Sequence, residues 1–78
     1  MITSEQIRAA RAMIKWTASD LADRAGVGIA TIRRMEIESG VPTCNAKILQ
    51  LIQNTLCDAG IEFIGTPEDG PGVILRRR

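Results

Sequence analysis

Seventy-eight residues make one domain near the lower limit for independent folding, so the core must be efficient or shared with a second copy. With 45% hydrophobic residues but only one Phe and one Trp, the chain is too apolar for a disordered tail and must build an aliphatic core. A net charge of +1 is alone a weak pointer to nucleic acid, and apolar runs far below membrane-spanning length, with no basic-then-apolar leader, lead us to expect a soluble, cytoplasmic protein with no membrane partner.

Thr3 with Gln6 three residues on is a capping-box start, and Ile7, Ala10 and Ile14 follow at helical spacing, so a first helix is expected over Ser4–Lys15. Thr17 with Asp20 repeats the signature and predicts a second helix over Ala18–Ala25. It stops at Gly26, where a left-handed residue is required and glycine has no Cβ to clash. A third helix is expected over Ile29–Glu38, with Gly28 in the N-cap place offering no side-chain oxygen. Gly40-Val41-Pro42 breaks the chain, and Thr43 is placed to cap a fourth helix over Cys44–Ala59, whose apolar stripe is Ile48, Leu49, Leu51, Ile52 and Leu56. Gly60 fits its C-terminal stop.

After Gly60 the period changes. Ile61–Ile64 and Val73–Arg76 read as strands flanking the turn-rich Gly65-Thr66-Pro67-Glu68-Asp69-Gly70-Pro71-Gly72. The expected fold class is mainly α: four helices in residues 1–60, then a C-terminal β-hairpin and basic tail in residues 61–78. Two isolated strands are marginal in water, and their edges present unpaired backbone groups. Ile61, Phe63, Ile64, Val73 and Leu75 are therefore assigned to pairing across the two-fold axis of a homodimer. The other reading folds the hairpin back onto its own helices.

Little in the chain serves catalysis or metal binding. There is no His or Tyr, and no glycine-rich phosphate loop opens a helix after a strand, so an enzyme is not expected. Cys44 and Cys57 are the only cysteines. On one helix they would stand roughly 20 Å apart, too far for a disulfide, so both are read as reduced thiols with no metal site.

The charge is segregated. Residues 8–34 place Arg8, Arg11, Lys15, Arg24, Arg33 and Arg34 against Asp20 and Asp23, a balance of +4, whereas residues 35–69 carry −5. One face for phosphates and another for a different contact would explain this better than scattered surface charge. Apolar residues at 21, 22, 25, 27, 32 and 35 can share a core, so residues 21–36 form two short helices meeting at a tight turn.

Within this stretch, Leu21-Ala22, Ala25-Gly26-Val27, Thr31-Ile32, Arg34-Met35 and Glu36 resemble the lambda-repressor/Cro-like (XRE-type) helix-turn-helix family. The flanking helices extend the likeness over about residues 4–59, and the whole chain is similar to a short bacterial subtype ending in a β-hairpin. The resemblance implies a homodimeric regulator, a repressor on a (pseudo)palindromic operator, binding double-stranded DNA with no cofactor or small-molecule ligand. It implies base contacts by Ile29, Ala30, Arg33 and Arg34, since Arg suits guanine O6 and N7 and a small apolar side chain suits a thymine methyl. Lys15, Thr17, Arg24 and Thr31 become candidate phosphate contacts. Arg11 is expected to pair with Glu36 while also facing phosphate.

Two positions depart from the family pattern. Ala18 stands where a phosphate-binding glutamine is common, and Gly28 where a Ser or Thr usually caps the recognition helix. Arg76, Arg77 and Arg78 divide evenly between phosphate contacts and free charge. Small size is analogous to control proteins of prophages and other mobile elements. A protein-interaction module, such as an antitoxin or an antagonist of another regulator, is the second reading, favoured by the acidic second half.

Overall fold

Both predicted capping boxes form. The Thr3 hydroxyl accepts from the Gln6 N–H (3.1 Å) while the Gln6 carboxamide accepts from the Thr3 N–H (2.8 Å), starting α1, Ser4–Ile14. Thr17 and Asp20 repeat the exchange at α2, Ala18–Ala25. Each box satisfies two N–H groups that a bare helix end would leave without partners. The computed structural model describes residues 2–76, in which α3 (Ile29–Glu36), α4 (Ala46–Asp58), β1 (Ile61–Ile64) and β2 (Gly72–Leu75) follow in order. The protein is thus mainly helical, with four helices followed by a two-stranded antiparallel hairpin.

Several boundaries differ from expectation, each for a local reason. α1 stops at Ile14, with Lys15 in the left-handed conformation (φ 59°), the one non-glycine residue so placed among those described. α3 ends at Glu36 rather than Glu38, because the N–H groups of Ile37 and Glu38 both turn to the Met35 carbonyl, which also accepts from the Ser4 hydroxyl (2.7 Å), and the Glu36 carbonyl accepts from Arg8. α4 is capped by Asn45, whose carboxamide oxygen accepts from the Ile48 N–H (3.0 Å). Thr43 therefore lies two residues ahead of the cap, its N–H donating to the Glu38 carboxylate, and Cys44 also lies ahead of the helix. β2 begins one residue early because Gly72 pairs with Ile64. Arg76 lies past its end, with its side chain on Glu62 at 2.8 Å. Arg77 and Arg78, named above as tail cations, lie outside the described residues.

The core gathers Ile7, Ala10, Leu21, Ala22, Ile32, Met35, Leu49, Ile52 and Leu56, and Ile61 from the hairpin joins it at 3% exposure. The boundary placed after residue 60 therefore runs through one shared core. β1 packs on α4 and β2 on α1. Gln6 binds the hairpin down, donating from Nε2 to the carbonyls of Gly72 (2.8 Å) and Ile64 (3.1 Å).

The register Ile61↔Leu75, Phe63↔Val73 puts those four side chains on one face, and Phe63, Val73 and Leu75 pack against the core. Ile61 is consequently corrected from a dimer contact to a core residue, and its three companions are turned inward. Only Ile64 of the expected set lies on the opposite face, 39% exposed, beside Ile74 and the Glu62–Arg76 pair. The hairpin folds onto its own helices, the second of the two readings the sequence left open.

Candidate nucleic-acid interface

The turn between α2 and α3 is built from backbone geometry. Gly26 adopts φ +72° and donates its N–H to the Ala22 carbonyl, and Val27 donates to the same oxygen at 3.0 Å. Gly28 then takes an extended conformation and begins α3 with no side-chain cap. α3 buries Ile32 and Met35 and half-buries Ile29. Ala30, Arg33 and Arg34 face outward and are exposed, while Thr31 is half-buried beside them.

Of the four expected base contacts, the structure therefore brings Ala30, Arg33 and Arg34 onto one open face. Ile29 is split between that face and the core. No acidic residue occupies the first turn of α3, so its uncapped N–H groups and the positive end of its dipole are left to attract an anion.

The expected phosphate contacts fare differently from one another. Lys15 is exposed at the corner between α1 and α2. Thr17 is committed to capping α2, its oxygen accepting at 3.0 Å, which leaves only its hydroxyl proton to donate. The Asp20 carboxylate it faces is held below the usual aspartate range, chiefly by the Thr17 N–H. It sets a negative charge beside that helix start. The Arg24 guanidinium lies over the Trp16 ring, 4.6 Å from its centroid, at a shallow groove shared with Thr55, Asp58 and Ala59.

Arg11 is turned inward, which corrects its expected phosphate contact. Nε and Nη2 meet the Glu36 carboxylate at 2.5 and 2.7 Å, and Nη1 donates to the Trp16 carbonyl at 2.8 Å. The Glu36 hydrogen bond raises the Arg11 pKa. The expected ion pair to Glu36 is present, and it ties α1 to the end of α3.

Sequence reasoning missed Arg8, which it counted as a surface cation. Arg8 donates to the carbonyls of Glu36 and Glu38, completing the C-terminal anchorage of α3 that Ser4 begins. The signal was present: positions 4, 8 and 11 fall on one side of a helix. With Arg8 and Arg11 drawn inward, Lys15, Arg24, Arg33 and Arg34 remain as surface cations of residues 8–34, against Asp20 and Asp23. Cys44 and Cys57 are free thiols whose pKa values are raised by burial. Among the described residues no cluster of three metal-binding side chains occurs, and no helix is long and apolar enough to cross a membrane. No protein-family model matches this chain, and no curated protein matches it.

Proposed function

We propose that the protein is a cytoplasmic, sequence-specific DNA-binding regulator of the XRE helix-turn-helix type, acting as a homodimeric repressor. One observation carries this reading: Ala30, Arg33 and Arg34 stand exposed on one face of a short helix whose far end is locked to α1 by the Arg11–Glu36 pair. Arginines held on a rigid helix can offer two hydrogen bonds to guanine in the major groove. Lys15 and the uncapped start of α3 supply phosphate attraction, which sets position and affinity. Dimerisation is assigned to the outward face of the hairpin, with Ile64 and Ile74 at its centre and the free strand edges beside them. Its role is to fix two recognition helices about 34 Å apart on one side of the duplex.

Selection of bound duplexes from a random pool tests the proposal. The expected product is a palindromic motif whose base preferences relax with Arg33→Ala or Arg34→Ala. Recovery of no enriched motif, together with a protein partner that co-purifies in fixed ratio, would replace it with the interaction-module reading.

A further inference from the structure

Ile37 is 85% exposed, the most exposed of the large apolar side chains among the described residues. Single exposed apolar residues are ordinary, so exposure alone decides nothing. Its setting is what matters. Ile37 is the C-cap of α3 (φ −87°, ψ −8°), its N–H donating to the Met35 carbonyl, so it is the first residue past the helix, one turn beyond Arg33 and Arg34. Ala30, Arg33, Arg34 and Ile37 are spaced i, i+3, i+4, i+7 and share one outward stripe.

The residues on either side of Ile37 are held from behind. Glu36 is fixed through its carboxylate by Arg11 and through its carbonyl by Arg8. The carbonyl of Glu38 also accepts from Arg8, and its carboxylate accepts the Thr43 N–H. The backbone at 37 is thus pinned on both sides with the side chain pointing away from the core. Such anchorage opposes the local rearrangement that would let an isoleucine find apolar cover.

We propose that Ile37 is a specificity-determining residue that packs against the 5-methyl group of a thymine in each half-site. This rests on the DNA-binding reading above. The occupant follows from continuity with Arg33 and Arg34, which are complementary to a polyanion, and from the chemistry of the major groove. Its one apolar feature on a base edge is the thymine methyl. The arginines choose guanine positions; Ile37 adds a thymine position that hydrogen bonding alone would not select.

The test replaces single thymines by deoxyuridine, which lacks only that methyl, in the duplex enriched by the unmodified protein. Expected is a thymine in each half-site whose methyl matters to the parent but not to Ile37→Ala, outside the positions that relax with Arg33→Ala or Arg34→Ala. Its replacement weakens binding about fourfold per half-site, the ordinary worth of one buried methyl group. Ile37→Ala binds the two duplexes equally, and because residue 37 is exposed its melting curve matches that of the parent. If a motif is enriched but Ile37→Ala and the parent respond alike to every deoxyuridine, or no thymine methyl matters, this inference falls and the DNA-binding reading stands. If the parent enriches no motif, both fall.

Discussion

Arg11→Ala is the most demanding perturbation of the fold, because it strands a carboxylate. The Glu36 side chain is 10% exposed and that of Arg11 20%, with two contacts joining them at 2.5 and 2.7 Å. Breaking a fully buried pair from one side costs about 3–5 kcal/mol, and the partial exposure here reduces the expectation to about 2–3 kcal/mol. For a domain of this size that loss lowers Tm by roughly 10–20 °C. The Trp16 carbonyl also loses its 2.8 Å donor, which adds to the penalty.

Circular dichroism melts of Arg11→Ala, and of Arg11→Met, Glu36→Leu and Arg11→Met/Glu36→Leu as a closed cycle, measure the coupling. The double variant should recover most of the loss, since apolar side chains of similar volume leave no charge uncompensated. Arg11→Ala melting within about 3 °C of the parent, where roughly 4–8 °C is expected per kcal/mol, would refute the argument. So would a double variant as unstable as the sum of the single losses. Under the proposed function Arg11→Ala also weakens operator binding, because the end of α3 is no longer tied to α1.

Three further outcomes follow from local geometry. The Asp20 carboxyl titrates below its ordinary value of 3.8, so the stability it adds is complete above that value and is lost as the pH falls through the lower folded-state value. The Tm gap between parent and Asp20→Asn should be present at neutral pH and close in acid; a gap constant down to strong acid would contradict the cap. Gly65→Ala should destabilise far more than Gly26→Ala in urea titrations. Both sit at positive φ, which costs about 1–2 kcal/mol, but a Cβ at Gly65 would lie 2.3 Å from the Gly70 carbonyl oxygen, and Gly26 has open space. Gln6→Ala, losing two hydrogen bonds to the hairpin and the one from the Thr3 N–H at roughly 0.5–1.5 kcal/mol each, should speed amide exchange in residues 61–76 well before that of α4. Uniform acceleration would show that Gln6 does not hold the hairpin.

What was legible in the sequence was what is decided locally. Thr3 with Gln6, Thr17 with Asp20 and the left-handed Gly26 all act within four residues, so three helix ends could be placed from them. The Asn45 cap was missed because Thr43, two residues earlier and directly after the Pro42 break, is also a capping residue type. Which of the two caps is decided by the loop path from Glu38, where the Thr43 N–H is anchored. Arg8 on the Glu36 carbonyl and Gln6 on the hairpin span 28 and 58 or more residues, beyond any short-range pattern. Ile61, Phe63 and Ile64 were grouped by apolarity, although the period of two in a strand already separates Ile64 from the others. Within the candidate interface, Ala30, Arg33 and Arg34 stand where their spacing put them. Ile37 went unnoticed because its exposure depends on how Arg8 and Arg11 hold the chain on either side of it, contacts that span 25 residues or more.

The placement of α1 bears directly on how two readers would be spaced. At 3.6 residues per turn, positions 4, 8 and 11 lie on one side of α1 and position 6 lies nearly opposite. The first side holds the end of α3 through Ser4, Arg8 and Arg11; the opposite side holds the hairpin through Gln6. α1 is therefore a strut between the proposed recognition helix and the proposed dimer surface. Its 11 residues span about 16 Å, short enough to stay rigid. If the hairpin sets the two-fold axis, half-site spacing is transmitted through Gln6, whereas base choice is set at α3. Gln6→Ala should then keep the base preferences of each half-site yet tolerate operators whose half-sites are moved by a base pair in either direction. Loss of base preference with spacing unchanged would show that the strut does not work this way.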